Sequence, residues 1–276
     1  MKRAELLAIL ESLDMHPSKA LGQNFLVDDN CLDALVRAAA PQPGEELLEI
    51  GPGTGVLTRR LLASGALLTS VEFDSRLAGY LRRTLGEQYP ETFRLIEEDA
   101  CKTDFDALFP QGHPYRVVAN LPYSCASVLL AHLASAKNPP RALHVLLQKE
   151  MAERLAANPG TAQYGVLTVR LAFRYIAKIA RQVPRGVFFP PPEVDSAFLA
   201  LESRPEPLGA PELLERAGRL AGAAFAQRRK QARRLLEPLM PGVDVAAALE
   251  ALGLPATARA EVLSPQQYVK LAELMP

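Results

Sequence analysis

A glycine-rich turn at the end of a short apolar run constrains the fold of this chain more than any other feature. The turn reads Glu49-Ile50-Gly51-Pro52-Gly53-Thr54-Gly55, and a helical pattern begins directly after it. Glycine has no Cβ, so the backbone can adopt left-handed conformations and approach a ligand closely. Open α/β sheets bind ligands at this place, outside the carboxyl end of a strand. The turn therefore predicts an α/β domain with a ligand site at Gly51 and Gly53.

The spacing of the glycines argues against a dinucleotide cofactor. The dinucleotide fingerprint GxGxxG requires glycine at position 56, where this chain has Val56, and the pattern here is GxGxG. An NAD-dependent oxidoreductase is therefore the disfavoured alternative. S-adenosylmethionine is favoured because a sulfonium cofactor has no pyrophosphate that the loop must bind. S-adenosylhomocysteine would then be the product.

Acidic residues follow the next two apolar runs. Glu72 closes the second run, 21 residues after Gly51, and a carboxylate at this place can accept hydrogen bonds from both ribose hydroxyls. Asp99 follows the third run, and we expect it to accept a hydrogen bond from the amino group of an adenine. The glycine turn and the two acids together predict a site for a nucleoside-type cofactor.

Apolar runs alternate with helical patterns from about residue 45 onward. Such alternation predicts right-handed βαβ units around a mostly parallel sheet. The predicted strands are 46–50, 67–73, 93–96, 116–119 and 143–147, and the predicted helices are 56–63, 76–85 and 126–136. Two further strands are predicted at 176–183 and 195–202, separated by a proline-rich corner. We expect them to form an antiparallel edge of the sheet.

The pattern becomes wholly helical after a linker at residues 204–207. The predicted helices of this region are 211–225, 228–236, 245–252 and 265–274, and earlier helices are expected at 1–13 and 165–175. We therefore expect a cofactor-binding catalytic domain over residues 1–204 and a small all-α domain over residues 205–276.

The segment Asn120-Leu121-Pro122-Tyr123 follows the fourth predicted strand. The exocyclic N6 amine of adenine is a poor nucleophile, because its lone pair is delocalised into the ring. Acceptors aimed at its two N–H groups, the Asn120 side-chain oxygen and the Leu121 carbonyl, would favour a pyramidal nitrogen. Pro122 stiffens the turn, and Tyr123 can stack on a flipped-out base, which contributes about 1–3 kcal/mol. The segment predicts methyl transfer governed by positioning, without a covalent enzyme intermediate.

Taken together, these motifs resemble the ribosomal RNA adenine dimethyltransferase family, and the resemblance extends over nearly the whole chain. It is carried by Leu21-Gly22-Gln23-Asn24-Phe25-Leu26, by residues 49–55, by Glu72 and Asp99, by residues 120–123, and by residues 188–196 and 224–230. It implies a class I methyltransferase fold, with a Rossmann-like α/β sheet and a small all-α C-terminal domain.

The resemblance also implies a substrate and a set of site residues. The family dimethylates N6 of two adjacent adenosines in the 3′-terminal hairpin loop of 16S rRNA, within an assembling small ribosomal subunit, and loss of such enzymes confers kasugamycin resistance. The family's cofactor contacts fall on Asn24, Leu26, Gly51, Glu72, Asp99 and Asn120. Its second aromatic residue beside the target base falls on Phe188. The chain departs from the family pattern at Glu193, where a basic residue is frequent, and at residues 231–234.

Charge is segregated along the chain although the formal net charge is zero. Acidic residues are absent from 154 to 192, a stretch that contains Arg154, Arg170, Arg174, Lys178, Arg181 and Arg185. A second basic cluster contains Arg228, Arg229, Lys230, Arg233 and Arg234. Such clusters neutralise phosphates, with an affinity that falls steeply with salt. They predict RNA-binding surfaces, the alternative being solvated faces or pairing with acids elsewhere.

The remaining composition predicts a cytoplasmic monomer that binds no metal and no membrane. The three cysteines, Cys31, Cys101 and Cys125, lack CxxC spacing, and the four histidines show no ligand spacing. No apolar run approaches 18 residues, and the first residues lack the apolar core of a signal peptide.

Two further functions stay open at this point. Methyltransferases of the macrolide-resistance type share the fold and the asparagine-led segment but modify large-subunit rRNA. A ribosome-assembly factor that acts mainly by binding is the second alternative.

Overall fold

The computed structural model describes residues 1–18 and 22–276, so Leu21 lies outside the described residues. The chain forms two compact units. The first contains Met1–Ala152 and Lys178–Leu201, and the second contains Glu153–Ala177 and Glu202–Pro276. The predicted division into 1–204 and 205–276 differs from this one in residues 153–177 and 202–204, which belong to the second unit. Their buried side chains Tyr164, Val169 and Phe173 share a core with the C-terminal helices, and this association of distant segments leaves no local sequence pattern.

Within the described residues, nine strands form two sheets. They are β1 (Phe25–Leu26), β2 (Glu46–Ile50), β3 (Leu67–Glu72), β4 (Phe93–Glu97), β5 (Arg116–Asn120), β6 (Ala142–Gln148), β7 (Tyr175–Val183), β8 (Phe188–Phe189) and β9 (Ser196–Ser203). The main sheet has the order β4-β3-β2-β5-β6-β9-β7, and β1 pairs with β8 in a separate two-stranded sheet. Strands β2 to β6 pair in parallel, and the edge is antiparallel. The predicted α/β fold class is confirmed.

Twelve α-helices accompany these strands in the described part of the chain. They are α1 (Arg3–Ser12), α2 (Asp29–Ala39), α3 (Val56–Ala63), α4 (Ser75–Leu81), α5 (Phe105–Leu108), α6 (Ala126–Ser135), α7 (Lys149–Leu155), α8 (Val166–Ala172), α9 (Pro211–Phe225), α10 (Ala232–Leu236), α11 (Val245–Ala251) and α12 (Pro265–Glu273). A π-turn at Arg82–Gly86 continues α4. None of the helices in residues 1–18 and 22–276 is long and apolar enough to cross a membrane.

Several helices begin at side chains that cap free backbone N–H groups. The Asp28 carboxylate accepts a hydrogen bond from the Cys31 N–H at the start of α2. At the start of α4, the Asp74 carboxylate accepts one from the Arg76 N–H. At α12, Ser264 and Gln267 form a reciprocal capping box ahead of the proline at the first helical position. The sequence analysis did not predict α2, although Asp28 marks its beginning.

The predicted helix over residues 228–236 is wrong in its first half. Helix α10 begins at Ala232, and residues 226–230 form turns. Gln231 is extended and forms an isolated bridge with Arg259, while the Ala232 N–H donates to the Ala258 carbonyl. These contacts with a distant segment interrupt a stretch whose composition favours a helix. The predicted helix over 165–175 is likewise shorter, because Tyr175 belongs to β7.

Strands β2, β5 and β6 are buried along almost their whole length, and so on both faces, which explains why they are nearly continuous apolar runs. Leu47, Leu68 and Val118 lie in a core that also contains Leu35 from α2 and Leu61 from α3. In the parallel register, Ile50 lies beside Val71, and Glu72 lies beside Glu97. The carboxyl ends of β2, β3 and β4 therefore meet at one edge of the sheet, where ligand sites of open α/β sheets form.

Candidate active site

A cavity of about 340 Å³ opens at the carboxyl ends of β2, β3, β4 and β5, within the size range of small-molecule sites. Ten of the predicted site residues line it: Asn24, Leu26, Gly51, Gly53, Glu72, Asp99, Asn120, Leu121, Pro122 and Tyr123. All belong to the first unit. The fold thus brings together residues that span a hundred positions in the sequence.

The backbone at Gly51 and Gly53 requires glycine. Both residues have positive φ, +67° at Gly51 and +60° at Gly53, a conformation that other residues rarely adopt. A Cβ on Gly53 would lie 3.2 Å from Cε1 of Phe25, and one on Gly51 would lie 3.4 Å from Cγ of Pro122. The loop therefore presents bare backbone to the cavity between two apolar side chains.

The Glu72 carboxylate is held by the glycine loop. Its Oε2 accepts a hydrogen bond from the Gly53 N–H at 3.0 Å, and its Oε1 accepts from the Asp74 N–H at 2.9 Å. The side chain is only 6 % exposed, and burial raises its pKa while the two backbone donors oppose that shift. Each oxygen keeps lone-pair capacity for further donors, so Glu72 can accept hydroxyl groups of a ligand in the cavity.

Glu49 lies beneath the loop as a buried second carboxyl group, to which the sequence analysis assigned no role. Its Oε2 accepts hydrogen bonds from Thr58 Oγ1 at 2.8 Å and from Ser70 Oγ at 3.0 Å. Burial raises the pKa of Glu49 to about 7, against the hydrogen bonds of the two hydroxyls, and the charge of Glu72 acts in the same direction as burial. Glu49 thus connects α3, β3 and the glycine loop through one polar cluster.

Asp99 presents a partly exposed carboxylate at the end of β4. Its Oδ1 accepts from the Cys101 N–H at 3.0 Å, and its Oδ2 lies 3.7 Å from the Lys102 ammonium. The Lys102 side chain is largely exposed, so the ion pair is worth little to stability and leaves the carboxylate accessible to a donor.

Asn120 is oriented by the chain that precedes α2. Its Nδ2 donates to the main-chain carbonyl of Asn24 at 3.2 Å, and Asn24 Nδ2 in turn donates to the Gly22 carbonyl at 3.1 Å. Because the Asn120 amide nitrogen is engaged, its Oδ1 is the atom available as an acceptor. The Leu121 N–H donates to the Leu146 carbonyl at 3.2 Å, which anchors the turn on β6.

The Tyr123 hydroxyl forms a hydrogen bond of 2.5 Å with the Ser196 hydroxyl. Ser196 begins β9 and is fully buried. Burial raises the pKa of Tyr123, so the phenol stays neutral. The sequence analysis placed Ser196 in a family motif without giving it a role, and no local pattern indicates that it reaches Tyr123.

Phe188 is not among the described residues that line this cavity. In the pairing of β1 with β8 it lies opposite Leu26, and its side chain is 3 % exposed and packs in the core of the first unit. Phe189 is the more exposed aromatic of this pair, and the Arg3 guanidinium lies 4.5 Å from its ring centroid. The role of Phe188 beside a target base stays a prediction.

The second basic cluster divides into two groups within the second unit. Arg228 Nη2 donates to the Ala162 carbonyl at 2.9 Å, and its Nε lies 3.9 Å from Glu261. Arg233 lies 3.6 Å from Glu237. Arg229, Lys230 and Arg234 are exposed, and no ion pair is recorded for them in the described part of the chain. These three side chains are therefore the ones free to meet phosphate groups.

Comparison with known proteins decides the family. Residues 16–276 match the sequence profile of the family described as "Ribosomal RNA adenine dimethylase". The chain belongs to the ribosomal RNA adenine dimethylase family. The enzyme class predicted from the sequence, an rRNA adenine dimethyltransferase, is thereby confirmed.

Relatives of this dimethylase cover nearly its full length. The "Ribosomal RNA small subunit methyltransferase A" of Brucella abortus biovar 1 is 41% identical over 267 residues, 96% of this chain and 94% of that protein. The protein of the same name from Novosphingobium aromaticivorans is 41% identical over 265 residues, 95% of this chain and 94% of its own length.

Two solved structures support the fold of the dimethylase. The 23S rRNA methyltransferase ErmE shares 29% identity with a TM-score of 0.69, covering 91% of this chain and 99% of that chain. A dimethyladenosine transferase from Plasmodium falciparum shares 26% identity with a TM-score of 0.75, and the match covers 90% of this chain and 95% of that chain.

The dimethylase cavity also contains residues that the sequence analysis missed. Phe73 follows Glu72, lines the cavity and is 60 % exposed. An aromatic side chain directly after the acid at a strand end was a usable signal, because an exposed ring beside a ligand site needs a partner. Cys101 and Cys125 also line the cavity. Burial is the main cause that raises the pKa of Cys125 to about 11, and neighbouring Cys101 adds to it.

Proposed function

We propose that this dimethylase transfers methyl groups from S-adenosylmethionine to N6 of two adjacent adenosines in the 3′-terminal hairpin loop of 16S rRNA. The observation that carries the proposal is the meeting of the Asn120–Tyr123 segment with the glycine loop in one cavity. The names of the relatives that are 41% identical support the small ribosomal subunit as substrate and a role in its biogenesis.

The cavity fits the proposed cofactor. Backbone without side chains at Gly51 and Gly53 lets a ligand approach closely, and Glu72 and Asp99 offer carboxylate oxygens to hydroxyl and amino groups. Exposed Phe73 offers a ring face to a purine. When bound, S-adenosylmethionine supplies an electrophilic methyl carbon on a positively charged sulfur. Asn24 and Leu26 complete the proposed set of contacts from the chain before α2.

The Asn120–Tyr123 segment would activate and hold the target amine. Asn120 Oδ1 and the Leu121 carbonyl would accept hydrogen bonds from the two N6–H groups and draw the nitrogen toward a pyramidal geometry. Pro122 restricts the backbone between them, and the Tyr123 ring stacks on the base. The nitrogen would attack the methyl carbon as the carbon–sulfur bond breaks, with S-adenosylhomocysteine as the leaving group. The methylated nitrogen is then positively charged and strongly acidic, so it loses its proton to water without a strong general base. Catalysis rests on positioning.

RNA binding is proposed for the exposed side chains of the second unit. Arg229, Lys230 and Arg234 are suited to phosphate contacts, whereas Arg228 and Arg233 also bind carboxylates of their own unit. We further propose that the protein acts as a monomer and without a metal. A ribosomal RNA substrate favours the cytoplasmic location that the sequence predicts.

A second candidate substrate is large-subunit rRNA. It is favoured by the similarity to the 23S rRNA methyltransferase ErmE over 91% of this chain. The relatives named for the small subunit are more similar, at 41% against 29% identity, which is why the small subunit is preferred.

Methyl transfer to isolated subunits separates the candidates. Small and large subunits that lack adenine dimethylation are incubated with S-adenosylmethionine labelled in the methyl group, and the label is mapped by digestion and mass spectrometry. We expect N6-dimethyladenosine at two adjacent positions of 16S rRNA. Label confined to large-subunit rRNA would establish the second candidate, and absence of dimethyladenosine from both would overturn the proposal.

The third possibility, an assembly factor that acts mainly by binding, needs a separate test. Cells that carry only Asn120→Ala protein are compared with wild type for mature small subunits. A maturation defect shows that catalysis matters for the cellular role. Normal maturation without methylation would show that binding is the main role.

A further inference from the structure

Tyr123 and Ser196 form a buried polar pair at the wall of the cavity. The two hydroxyl oxygens lie 2.5 Å apart, although the residues are 73 positions apart in the sequence. Tyr123 lines the cavity, whereas the fully buried Ser196 lies behind it. Ser196 begins β9, which lies between β6 and β7 inside the main sheet. The far end of the tyrosine ring is thus attached to an inner strand of the main sheet.

This contact limits the orientation of the Tyr123 ring. The phenolic oxygen lies on the axis about which a tyrosine ring turns, so a short hydrogen bond at the hydroxyl restrains χ1, the torsion that sets the direction of the ring. Leaving either hydroxyl buried without a partner would be costly. Burial keeps the phenol neutral, so one hydroxyl donates and the other accepts at any moderate pH. The direction of the ring is therefore set before a base arrives.

We propose that Ser196 is a positioning residue that holds the Tyr123 ring in the place needed to stack on the target adenine. This inference rests on the proposed function of the site. Stacking requires the ring to lie over the base, so a ring that swings about χ1 loses part of the contact with the base. Ser196 touches neither the base nor the cofactor and acts through Tyr123 alone.

Dimethylation increases the need for a well-positioned ring, because the same ring holds the adenine during two transfers. The second transfer starts from a base with one methyl group, whose amine has a single N–H left to donate. Stacking then carries a larger share of the positioning than in the first transfer. A loosened ring therefore slows the second transfer more than the first, and monomethyladenosine accumulates.

The test compares Ser196→Ala, Tyr123→Phe, the double variant and Ser196→Thr, which keeps a hydroxyl. We expect Ser196→Ala to lower kcat/KM for unmethylated small subunits by about three- to tenfold, the range of one hydrogen bond. Its fraction of monomethylated product should rise, while its Kd for S-adenosylmethionine stays within about twofold of wild type. Ser196→Thr should restore most of the activity, and the double variant should be no worse than Tyr123→Phe.

Controls separate positioning from loss of folding. Ser64→Ala also removes a serine hydroxyl, which donates to the Leu61 carbonyl at 2.6 Å in the same unit, but it should leave the monomethyl fraction unchanged. If Ser196→Ala does not fold, Tyr123→Phe removes the same bond from the other side and carries the test.

The outcomes distinguish this inference from the proposed function. Wild-type enzyme that makes no dimethyladenosine would overturn the proposed function. Active wild type together with additive effects of Ser196→Ala and Tyr123→Phe, or with an unchanged monomethyl fraction in Ser196→Ala, would overturn the role of Ser196 alone.

Discussion

The side-chain amide of Asn120 donates to the main-chain carbonyl of Asn24 over 3.2 Å. The bond joins the end of β5 to the segment that precedes α2, 96 residues earlier. It leaves the Asn120 oxygen as the acceptor in the cavity. The orientation of this oxygen depends on tertiary structure and not on the type of residue at position 24, because the partner of Asn120 is a backbone carbonyl that any residue there would supply.

Asn120→Ala should slow methyl transfer about a hundred- to a thousandfold while the protein still folds. The change removes the preorganised acceptor that we propose for the reacting amine. The measurement is single-turnover transfer from labelled S-adenosylmethionine to small subunits, with thermal unfolding as the check on folding. Asn24→Ala keeps the backbone carbonyl that accepts from Asn120, so at saturating S-adenosylmethionine it should slow transfer far less, even where it weakens cofactor binding. Equal losses at saturating cofactor would contradict the view that Asn24 acts on Asn120 through its carbonyl alone.

Glu49 should make stability fall as the pH rises from about 4.5 to 7. Burial raises the pKa of Glu49 to about 7 in the folded chain, whereas an unfolded glutamate titrates near 4.3. Between these values the folded state binds more protons, so the free energy of unfolding decreases with pH and becomes level above 7. The loss amounts to roughly 3 kcal/mol.

Urea unfolding between pH 4 and 8 measures this effect. Glu49→Gln is neutral throughout and still accepts from Thr58 and Ser70, so the decline contributed by Glu49 should disappear in the variant. Glu91→Gln, at an exposed site, serves as the control and should follow wild type. If Glu49→Gln shows the same slope as wild type, the buried carboxyl is not the origin of the pH dependence.

The cofactor should protect the thiols of the cavity from alkylation. Cys101 and Cys125 line the site, and the pKa of Cys125 is raised to about 11. Because the thiolate is the reactive form, alkylation of Cys125 by iodoacetamide should accelerate about tenfold per pH unit between 7 and 10. S-adenosylmethionine should slow it at every pH.

Peptide mass spectrometry resolves the thiols, and Cys31 is an internal control. Its thiol is buried in the core of the first unit with a pKa also raised to about 11, but it does not line the cavity. Its reaction should be slow with or without the cofactor. Protection of Cys31 equal to that of Cys125 would indicate general stabilisation of the fold instead of occupancy of the site.

The exposed and the paired arginines of the second unit should respond differently to substitution. Replacing Arg229, Lys230 and Arg234 together by alanine should weaken binding to small subunits and reduce the slope of log K against log salt by about 0.7–0.9 per lost phosphate contact. Thermal stability should stay near wild type. Arg228→Ala should instead lower the unfolding temperature, since Arg228 bonds to Ala162 and Glu261. An unchanged salt slope in the triple variant would exclude these residues from the RNA interface.

Local sequence was sufficient to predict the bounds of those elements whose own apolar pattern shows which residues are buried. Strand β2 and helices α3 and α9 have the predicted bounds, because apolar periodicity, glycine at 51–55 and proline at 211 act within a few residues. The parallel sheet follows from the same signals, and its alignment of strand ends is why Glu72, Asp99 and Asn120 could be expected around one ligand.

The tertiary structure decided every feature that depends on which distant segments meet. It placed residues 153–177 in the second unit and brought Ser196 to the Tyr123 hydroxyl. It delayed the start of the helix predicted over 228–236 until Ala232, after the bridge of Gln231 with Arg259. It also buried Glu49 beneath the loop that the sequence had marked as a ligand site. Propensity and periodicity act between neighbours along the chain, whereas these contacts arise from strand order and packing. The sequence by itself thus determined the chemistry of the site, and only the fold decided how its groups are oriented.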